Sequence, residues 1–359
     1  MDYPPVSVVM PVRNEERHLA ESVRHVLGQD YPGEFELVLA VGPSADRTER
    51  IAAELAAAEP RLTVVPNPTG QIPAALNAAV GAARHAVIAR VDGHAMLPPG
   101  YLRTAVATLA ETGAADVGGV MAADGETPFQ QAVAWAMTSK AGVGSASFHT
   151  GGGAGPALSV YLGVYQRAAI EQAGGWDEGM LRAEDWDLNY RIRMRGGQVW
   201  FTPALRVTYR PRASVRTLAS QYFHYGRWRR VIVREHPGTA SFRYLAPPGA
   251  AALVFGGLFL GVAGLGALAG RPAPAGIYWL TAGFAIPLIY AAGVTAAGIL
   301  LSRGVPAKVR IRIPLALGAM HLAWGTGFLT SPRKLHRQPD TRVGQPAAST
   351  ESPAPAGRE

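Results

Sequence analysis

The stretch VSVVMPVRNEERHLAESVRHVL, residues 6–27, begins with the pattern of a buried strand and ends with the pattern of a helix. Residues 6–10 are almost entirely apolar, as in a strand that is covered on both faces. Residues 15–27 then carry an apolar stripe at helical spacing, formed by Leu19, Val23, Val26 and Leu27. The stretch therefore predicts a strand that leads directly into an amphipathic helix.

The same alternation continues along the chain. Further strands are predicted at residues 35–41, 62–65 and 86–91, and further helices at residues 46–58 and 72–83. Strands and helices that alternate with short connections predict an α/β fold, in which a mostly parallel sheet lies between helices. Ligands of such sheets bind beyond the carboxyl ends of the strands, where Asn14, residues 44–46 and residues 92–94 fall.

The amino-acid composition and net charge limit the classes of function that the chain can have. Hydrophobic residues make up 48% of the 359 residues and charged residues 17%, which suits an enzyme with a membrane portion. The absence of cysteine excludes disulfides and thiolate chemistry. The net charge is +8, and much of the basic excess follows residue 205 beside apolar runs, which favours a membrane surface as partner over nucleic acid.

The C-terminal third contains three long stretches without a charged residue, each long enough to cross a bilayer. We predict membrane spans at residues 250–270, 276–301 and 313–331 in a transmembrane region 244–332, with buried core helices as the alternative. Basic residues cluster before the first span and between the second and the third, which predicts a cytoplasmic catalytic domain in a multi-pass protein of the plasma membrane. Three full spans would place Arg333 and Lys334 outside, against that rule, unless the third segment is re-entrant.

Two segments flank the spans. Residues 213–243 predict an amphipathic helix with aromatic and arginine side chains, either at the membrane interface or packed on the catalytic domain of residues 1–212. Residues 333–359 are rich in Pro, Ala, Ser and Thr and predict a disordered tail.

Two motifs carry chemistry. Asp92-Gly93-His94 places a carboxylate and an imidazole in a loop after a buried strand, where they can share a divalent cation, although Asp-Gly is also an ordinary turn dipeptide. A helix beginning near Glu184-Asp185 places carboxylates at its N-terminus, where the helix dipole favours the charged form. Such a carboxylate either caps the helix or accepts a proton from a positioned hydroxyl.

Four segments together resemble the family 2 inverting glycosyltransferases of GT-A fold. They are VSVVMPVRNEE, NPTGQIPAALNAAV, VDGH and GGWDE…RAEDWDLNYRIRMRGG, and the resemblance covers about residues 5–235. Together with the C-terminal spans, the chain is most similar to membrane-bound bacterial glucosyltransferases of the succinoglycan type. The resemblance implies a nucleotide-sugar donor and a divalent metal.

The resemblance implies roles for single residues. Those expected to bind the donor are Pro11, Arg13, Glu15, Asp46, Arg90 and Asp92, although Asp46 is as well suited to cap a helix and Arg90 to be a surface charge. Asp92 and His94 fall on the family's metal-binding DxD motif, and Asp185 with Glu184 falls on the pair that contains the general base. The expected acceptor region comprises Trp186, Gln221, Arg227 and Trp228, where QYFHYGRW is a loose match to the family's QxxRW.

Two departures from the family pattern affect the chemistry. His94 replaces the last acid of the metal motif, and because imidazole is a poor ligand for Mg²⁺ we expect Mn²⁺ to be preferred. Val41-Gly42 stands where the family has an acidic pair, so the acid that contacts the base is missing and recognition of uracil is in doubt.

We therefore expect a membrane-anchored enzyme that extends a lipid-linked glycan during polysaccharide synthesis. The alternatives are a polyprenyl-phosphate glycosyltransferase and, from a different class, a catalytically silent scaffold that binds nucleotide. Glu184-Asp185 argues against the scaffold. A processive synthase fits less well, because the spans are few and the segment before Trp228 is irregular.

Overall fold

The computed structural model describes residues 3–144, 146–269 and 275–335. Eight strands form one sheet in the order β3-β2-β1-β4-β7-β5-β8-β6. The strands are β1 Val6–Val12, β2 Phe35–Val41, β3 Leu62–Pro66, β4 Val87–Arg90, β5 Asp116–Ala123, β6 Gly155–Pro156, β7 Tyr161–Gln166 and β8 Val199–Tyr209. Only β7 and β6 run antiparallel to their neighbours, so the predicted, mostly parallel sheet is confirmed.

The helices of the described part occur both between the strands and after them. In chain order they are α1 Leu19–Leu27, α2 Thr48–Ala58, α3 Ile72–Ala82, α4 Tyr101–Thr112, α5 Pro128–Thr138, α6 Lys140–Val143, α7 Ser147–Thr150, α8 Arg167–Ala173, α9 Glu184–Met194, α10 Val215–Glu235, α11 Phe242–Ala269, α12 Ala285–Leu300, α13 Ala307–Arg310 and α14 Ile313–Leu329. Two 3-10 helices, Pro237–Thr239 and Ala275–Phe284, connect the later ones.

Helices cover both faces of the sheet, as the alternation predicted. On β1, Val8 and Met10 pack into a core with α1 and α4, whereas Val9 between them packs into a second core with α3 and α9. Because successive strand side chains point to opposite faces, one apolar strand contributes to both cores. The two cores hold the carboxyl ends of β1, β2 and β4 in fixed relative positions.

Two predicted helices begin later than expected. The first begins at Leu19 rather than at residue 15, because Asn14 adopts the left-handed conformation (φ 55°) and the chain turns before the helix starts. The second begins at Thr48 rather than at residue 46. Asp46 instead accepts a hydrogen bond from the Thr48 backbone nitrogen at 3.0 Å, as a residue beside a helix N-terminus does.

Among the described residues, two helical segments are long and apolar enough to cross a membrane, Phe242–Gly266 and Leu280–Leu300. They coincide with the first two predicted spans, and large apolar side chains such as Phe259 and Ile289 point away from the protein, 74% and 71% exposed. Most of the predicted tail, residues 336–359, lies outside the described residues.

The third predicted span has a different environment. It forms α14, which has 17 residues and lies along α10. A Cβ at Gly226 of α10 would collide with the Trp324 carbonyl oxygen, and one at Gly327 would collide with that of Phe223, so the two backbones are in direct contact. Helix α14 is shorter than the two candidate spans and packs against α10, while Leu315 and Leu329 remain exposed, so the third span stays a prediction.

Helix α10 is accordingly the packing helix that the sequence left as an alternative. Its Leu218, Trp228 and Ile232 are buried. At its end, Arg234 donates hydrogen bonds to the carbonyl oxygens of Ser331 and Pro332, both at 2.8 Å. The end of α14 therefore lies beside the end of α10.

Candidate active site

The loops that follow β1, β2 and β4 meet at one edge of the sheet. The Asn14 side-chain oxygen accepts a hydrogen bond from the Ala45 backbone nitrogen at 2.8 Å. The Glu15 carboxylate and the His94 Nδ1 lie 2.8 Å apart, although the two residues are 79 positions apart in the chain. The three polar loops that sequence analysis placed at carboxyl ends are thus brought together.

The loop Asp92-Gly93-His94 is held tightly against the end of β1. A Cβ at Gly93 would lie 3.3 Å from both the Glu15 Cγ and the Pro11 carbonyl oxygen, so a larger residue would displace the loop. The Asp92 side chain is partly exposed and that of His94 is half exposed. Both side chains are therefore accessible from the edge where a ligand would bind.

The donor atoms at this edge fit part of a divalent cation site. Asp92 offers carboxylate oxygen and His94 an imidazole nitrogen, with the Glu15 carboxylate beside it, a mixed set that suits Mn²⁺ better than Mg²⁺. In the described ranges, no three His, Asp or Glu side chains form a complete metal site. A cation here would need further ligands from water or from a bound diphosphate.

The protonation of His94 depends on its neighbours. The hydrogen bond to Glu15 raises the pKa of His94 above its ordinary value, and the charge of Asp92 acts in the same direction, against the effect of desolvation. The protonated imidazole is thus stabilised, and because metal binding requires the neutral ring, a metal ion would compete with this protonation.

Arg90 connects the metal-binding loop with helix α9. Its guanidinium is buried and pairs with Asp92 (3.1 Å), with Glu184 (3.3 Å) and, in closer contact, with Asp185. Burial alone would lower the pKa of Arg90, but the carboxylates of Asp92 and Glu184 outweigh it and raise the pKa. The alternative that Arg90 is a surface charge is therefore wrong, and its role in binding a diphosphate stays a prediction.

Asp185 lies at the start of α9, where the sequence placed it. The indole Nε1 of Trp176 donates a hydrogen bond to the Asp185 Oδ1 at 3.1 Å, and Trp176 itself is buried. The Trp176 backbone is fixed in turn by the side chain of Asn77 at 2.9 Å. The carboxylate is thus oriented by an indole and a guanidinium, and it remains about one-quarter exposed. That Trp176 orients Asp185 was not predicted, because this contact depends on the tertiary fold.

A cleft of about 470 Å³ opens beyond β2 and β3 and is lined by Val41, Gly42, Pro43, Val65 and Asn67, among others. The side chain of Arg13 crosses beside it and donates hydrogen bonds to the carbonyl oxygens of Pro43 and Gly70, both at 3.3 Å. The two residues that replace the family's acidic pair therefore line this cleft, and the cleft has an apolar wall in their place.

Asp46 has a structural role at the same edge. It accepts hydrogen bonds from Thr48 and from the Glu16 backbone nitrogen, the latter at 3.2 Å. Asp46 therefore fixes the backbone at the start of α2, whose N-cap residue is Arg47, while its contact with a nucleotide stays a prediction.

The four residues expected near the acceptor are placed in two ways. Trp186 and Trp228 pack in one buried cluster between α9 and α10. Gln221 is buried and donates hydrogen bonds to the hydroxyls of Tyr209 and Tyr225, both at 2.8 Å. The Arg227 guanidinium lies over the ring of Phe223. These residues support the walls of the site, and their contact with an acceptor stays a prediction.

Comparison with known proteins agrees with this geometry. Residues 7–173 match the sequence profile of Glycosyl transferase family 2. The chain is 30% identical to the succinoglycan biosynthesis protein ExoA of Rhizobium meliloti, over 89% of this chain and 93% of that protein. It is 22% identical to the dolichyl N-acetyl-alpha-D-glucosaminyl phosphate 3-beta-D-2,3-diacetamido-2,3-dideoxy-beta-D-glucuronosyltransferase of Methanococcus voltae, over 64% of this chain and 74% of that protein.

A solved structure has the same fold. The mannosyltransferase PcManGT from Pyrobaculum calidifontis, in complex with GDP-Man and Mn²⁺, is similar with a TM-score of 0.56 at 22% identity, over 90% of this chain and 88% of that chain. The GT-A fold predicted from the sequence is thereby confirmed.

Proposed function

The chain belongs to glycosyltransferase family 2, and we propose that it is an inverting enzyme that transfers a sugar from a nucleotide-sugar donor to a lipid-linked glycan. The observation that carries this proposal is the position of Arg90. One buried guanidinium holds Asp92, a candidate metal ligand, and Asp185, a candidate base. The donor's diphosphate and the acceptor's hydroxyl would therefore meet across a single side chain.

Asp92 and His94 would hold a divalent metal, with Mn²⁺ preferred because of the imidazole. When bound, such a metal offsets negative charge on a departing nucleoside diphosphate. The Mn²⁺ in the mannosyltransferase complex is consistent with this assignment. Pro11, Arg13 and Glu15 surround the same edge and would position the nucleotide, whose base would occupy the cleft beside Val41 and Gly42.

Asp185 acts as the general base. It accepts the proton of the acceptor hydroxyl while that oxygen attacks the anomeric carbon from the face opposite the leaving diphosphate. The bond from the anomeric carbon to the diphosphate oxygen breaks as the new glycosidic bond forms, so the configuration inverts. The hydrogen bond from Trp176 fixes one carboxylate oxygen, and Arg90 stabilises the charged form in which Asp185 can accept a proton.

The acceptor and the location are inferred from the C-terminal region and from the relatives. Two helical segments can cross a membrane by length and composition. One relative acts in succinoglycan biosynthesis, and the name of another describes a dolichyl-phosphate-linked acceptor. We assign the chain to polysaccharide synthesis at the plasma membrane, with the catalytic domain on the cytoplasmic side, because basic residues cluster between that domain and the first candidate span.

The test is a screen of nucleotide-sugar donors with the full chain in membrane fractions, with Mn²⁺, with Mg²⁺ and with a chelator. We expect one donor to be turned over, with more product in Mn²⁺ than in Mg²⁺ and none with the chelator. A silent scaffold would show neither hydrolysis nor transfer. A product formed on unglycosylated polyprenyl phosphate would instead identify the enzyme as a polyprenyl-phosphate glycosyltransferase.

A further inference from the structure

Two arginines lie close together beside the catalytic helix without a carboxylate partner. Arg229 of α10 has its guanidinium carbon 4.0 Å from the ring centre of Tyr244, and Arg243 of α11 has its own 4.6 Å from the same ring. Arg243 also donates a hydrogen bond to the Tyr244 hydroxyl at 2.7 Å. Within the described ranges neither guanidinium forms an ion pair with an acidic side chain. We refer to Arg229 and Arg243 as the arginine pair.

The arginine pair is costly in the absence of an anion. Desolvation lowers the pKa of Arg229, Tyr244 acts against this effect, and the positive charge of Arg243 lowers the pKa further. The Nη1 of Arg229 is buried without a hydrogen-bond partner in the described part of the chain. A buried donor that lacks an acceptor and faces a like charge is destabilising, and a bound anion would relieve both effects.

A second unpartnered polar group lies beside the pair. His149 of α7 is partly buried near Arg243, and its Nδ1 is buried without a hydrogen-bond partner among the described residues. Burial, with the nearby charge of Arg243, lowers the pKa of His149 to about 4, so the ring is neutral at physiological pH. A neutral imidazole can donate one hydrogen bond to an anion without adding a third positive charge.

The position of the pair indicates which anion it would bind. The guanidinium carbon of Arg229 lies 4.5 Å from the ring centre of Trp186, the residue that directly follows Asp185. Arg243 lies in the first turn of α11, where the first candidate membrane span begins. The pair therefore lies between the proposed base and the level at which lipid phosphates are found.

We propose that the arginine pair binds the phosphate group that joins the acceptor's glycan to its lipid. The guanidinium fork matches phosphate oxygens in pairs, which explains why arginine occupies both positions. This inference rests on the proposed transfer to a lipid-linked acceptor.

A phospholipid headgroup has the same chemistry but fits the position less well. Arg229 is packed against the rings of Trp186 and Tyr244, whereas a headgroup needs arginines on the outer surface. Arg216, on the exposed side of the same helix α10, is such a residue and serves as the matched control.

The test measures binding to the full chain in detergent, with Mn²⁺ and inorganic diphosphate saturating the donor site. The probes are geranylgeranyl phosphate and the uncharged alcohol geranylgeraniol. A hydrogen bond to a charged group raises affinity by about tenfold. The wild type is therefore expected to bind geranylgeranyl phosphate at least about tenfold more tightly than geranylgeraniol. Arg243→Gln should remove most of that preference without changing affinity for the alcohol, Arg229→Lys should reduce it, and Arg216→Gln should leave it intact.

Equal affinity of the wild type for both probes would overturn the proposal, and that result does not depend on any variant folding. An equal loss in Arg216→Gln would also overturn it. A third outcome would also overturn it: Arg243→Gln keeps the preference for geranylgeranyl phosphate but binds phosphatidylglycerol vesicles less well, relative to phosphatidylcholine vesicles. That result would indicate a headgroup site. Donor turnover measured on the same preparations separates the two proposals: if turnover is present and the phosphate preference absent, only the inference about the arginine pair fails.

Discussion

Replacing Arg90 with glutamine is the most informative perturbation of the site. The substitution removes the cation that pairs with Asp92, Glu184 and Asp185 and leaves the three carboxylates facing one another. Removing one partner of a buried ion pair costs about 3–5 kcal/mol. The side chains of Asp92, Glu184 and Asp185 are 22%, 11% and 26% exposed, respectively. Water therefore screens part of the repulsion, and a loss of stability at the lower end of this range, about 3 kcal/mol, is expected.

The assay is thermal unfolding of the full chain in detergent, together with turnover of the donor. For a domain of this size a loss of about 3 kcal/mol lowers Tm by roughly 6–12 °C. Turnover should fall by about 10²-fold, because Asp185 loses the group that orients it. Arg90→Lys keeps the positive charge but not the planar guanidinium, which can pair with two carboxylates at once. Compared with Arg90→Gln, it should recover part of the stability and little of the turnover.

The matched control is Arg84→Gln, which also removes an arginine paired with a buried carboxylate, that of Glu36, but at an exposed guanidinium remote from the site. In addition, Glu184→Gln should recover part of the lost stability in the Arg90→Gln background, because it removes one of the surplus charges. If Arg90→Gln lowered Tm no more than Arg84→Gln does, and Glu184→Gln gave no recovery, the reasoning about Arg90 would be refuted.

Three further outcomes are expected. His94→Asp should shift the metal preference in turnover from Mn²⁺ towards Mg²⁺, and an unchanged preference would remove His94 as a ligand. Burial would raise the pKa of Glu36, but hydrogen bonds from Ser7 and Arg84 outweigh this effect and lower the pKa. Glu36 therefore stabilises the fold at pH values above the ordinary pKa of a carboxyl group, and this stability is lost as the pH falls through the lowered pKa. Glu36→Gln should thus cost about 1–3 kcal/mol at neutral pH and flatten the acid limb of a plot of unfolding free energy against pH, whereas an unchanged acid limb would contradict the assignment. Gly226→Ala should lower Tm by separating α10 from α14, whereas Gly249→Ala, where a Cβ meets no atom, should not; equal effects would contradict the packing of α14.

The sheet and its helices could be predicted because strand and helix periodicity is local information. In residues 6–27 the spacing of apolar residues alone indicates which side chains are buried, and the structure confirms the strand and the helix. The start of α1 was predicted too early because the left-handed turn at Asn14 is fixed by its hydrogen bond to the second loop, which lies elsewhere in the chain.

The site could be predicted only in part, for the same reason. Strand ends and a helix start located Asp92 and Asp185 separately. They are connected through Arg90, which pairs with Glu184 94 positions further along the chain, and no pattern in the sequence encodes this contact. The packing of the third apolar stretch on α10 was not predicted, because a lack of charge shows that a helix avoids water but not whether protein or lipid surrounds it. The glycines that allow α10 and α14 to touch were the available signal.

The central claim is that Asp185 is the base of a metal-assisted transfer, and Asp185→Asn tests it most directly. With the donor found by screening, binding of the donor in Mn²⁺ and transfer to the membrane acceptor are measured side by side on wild type and variant. We expect donor affinity to stay within a few-fold of the wild type while transfer falls by at least about 10²-fold, because the amide cannot accept the proton. Transfer by Asp185→Asn at a rate near that of the wild type, with donor binding intact, would contradict the account.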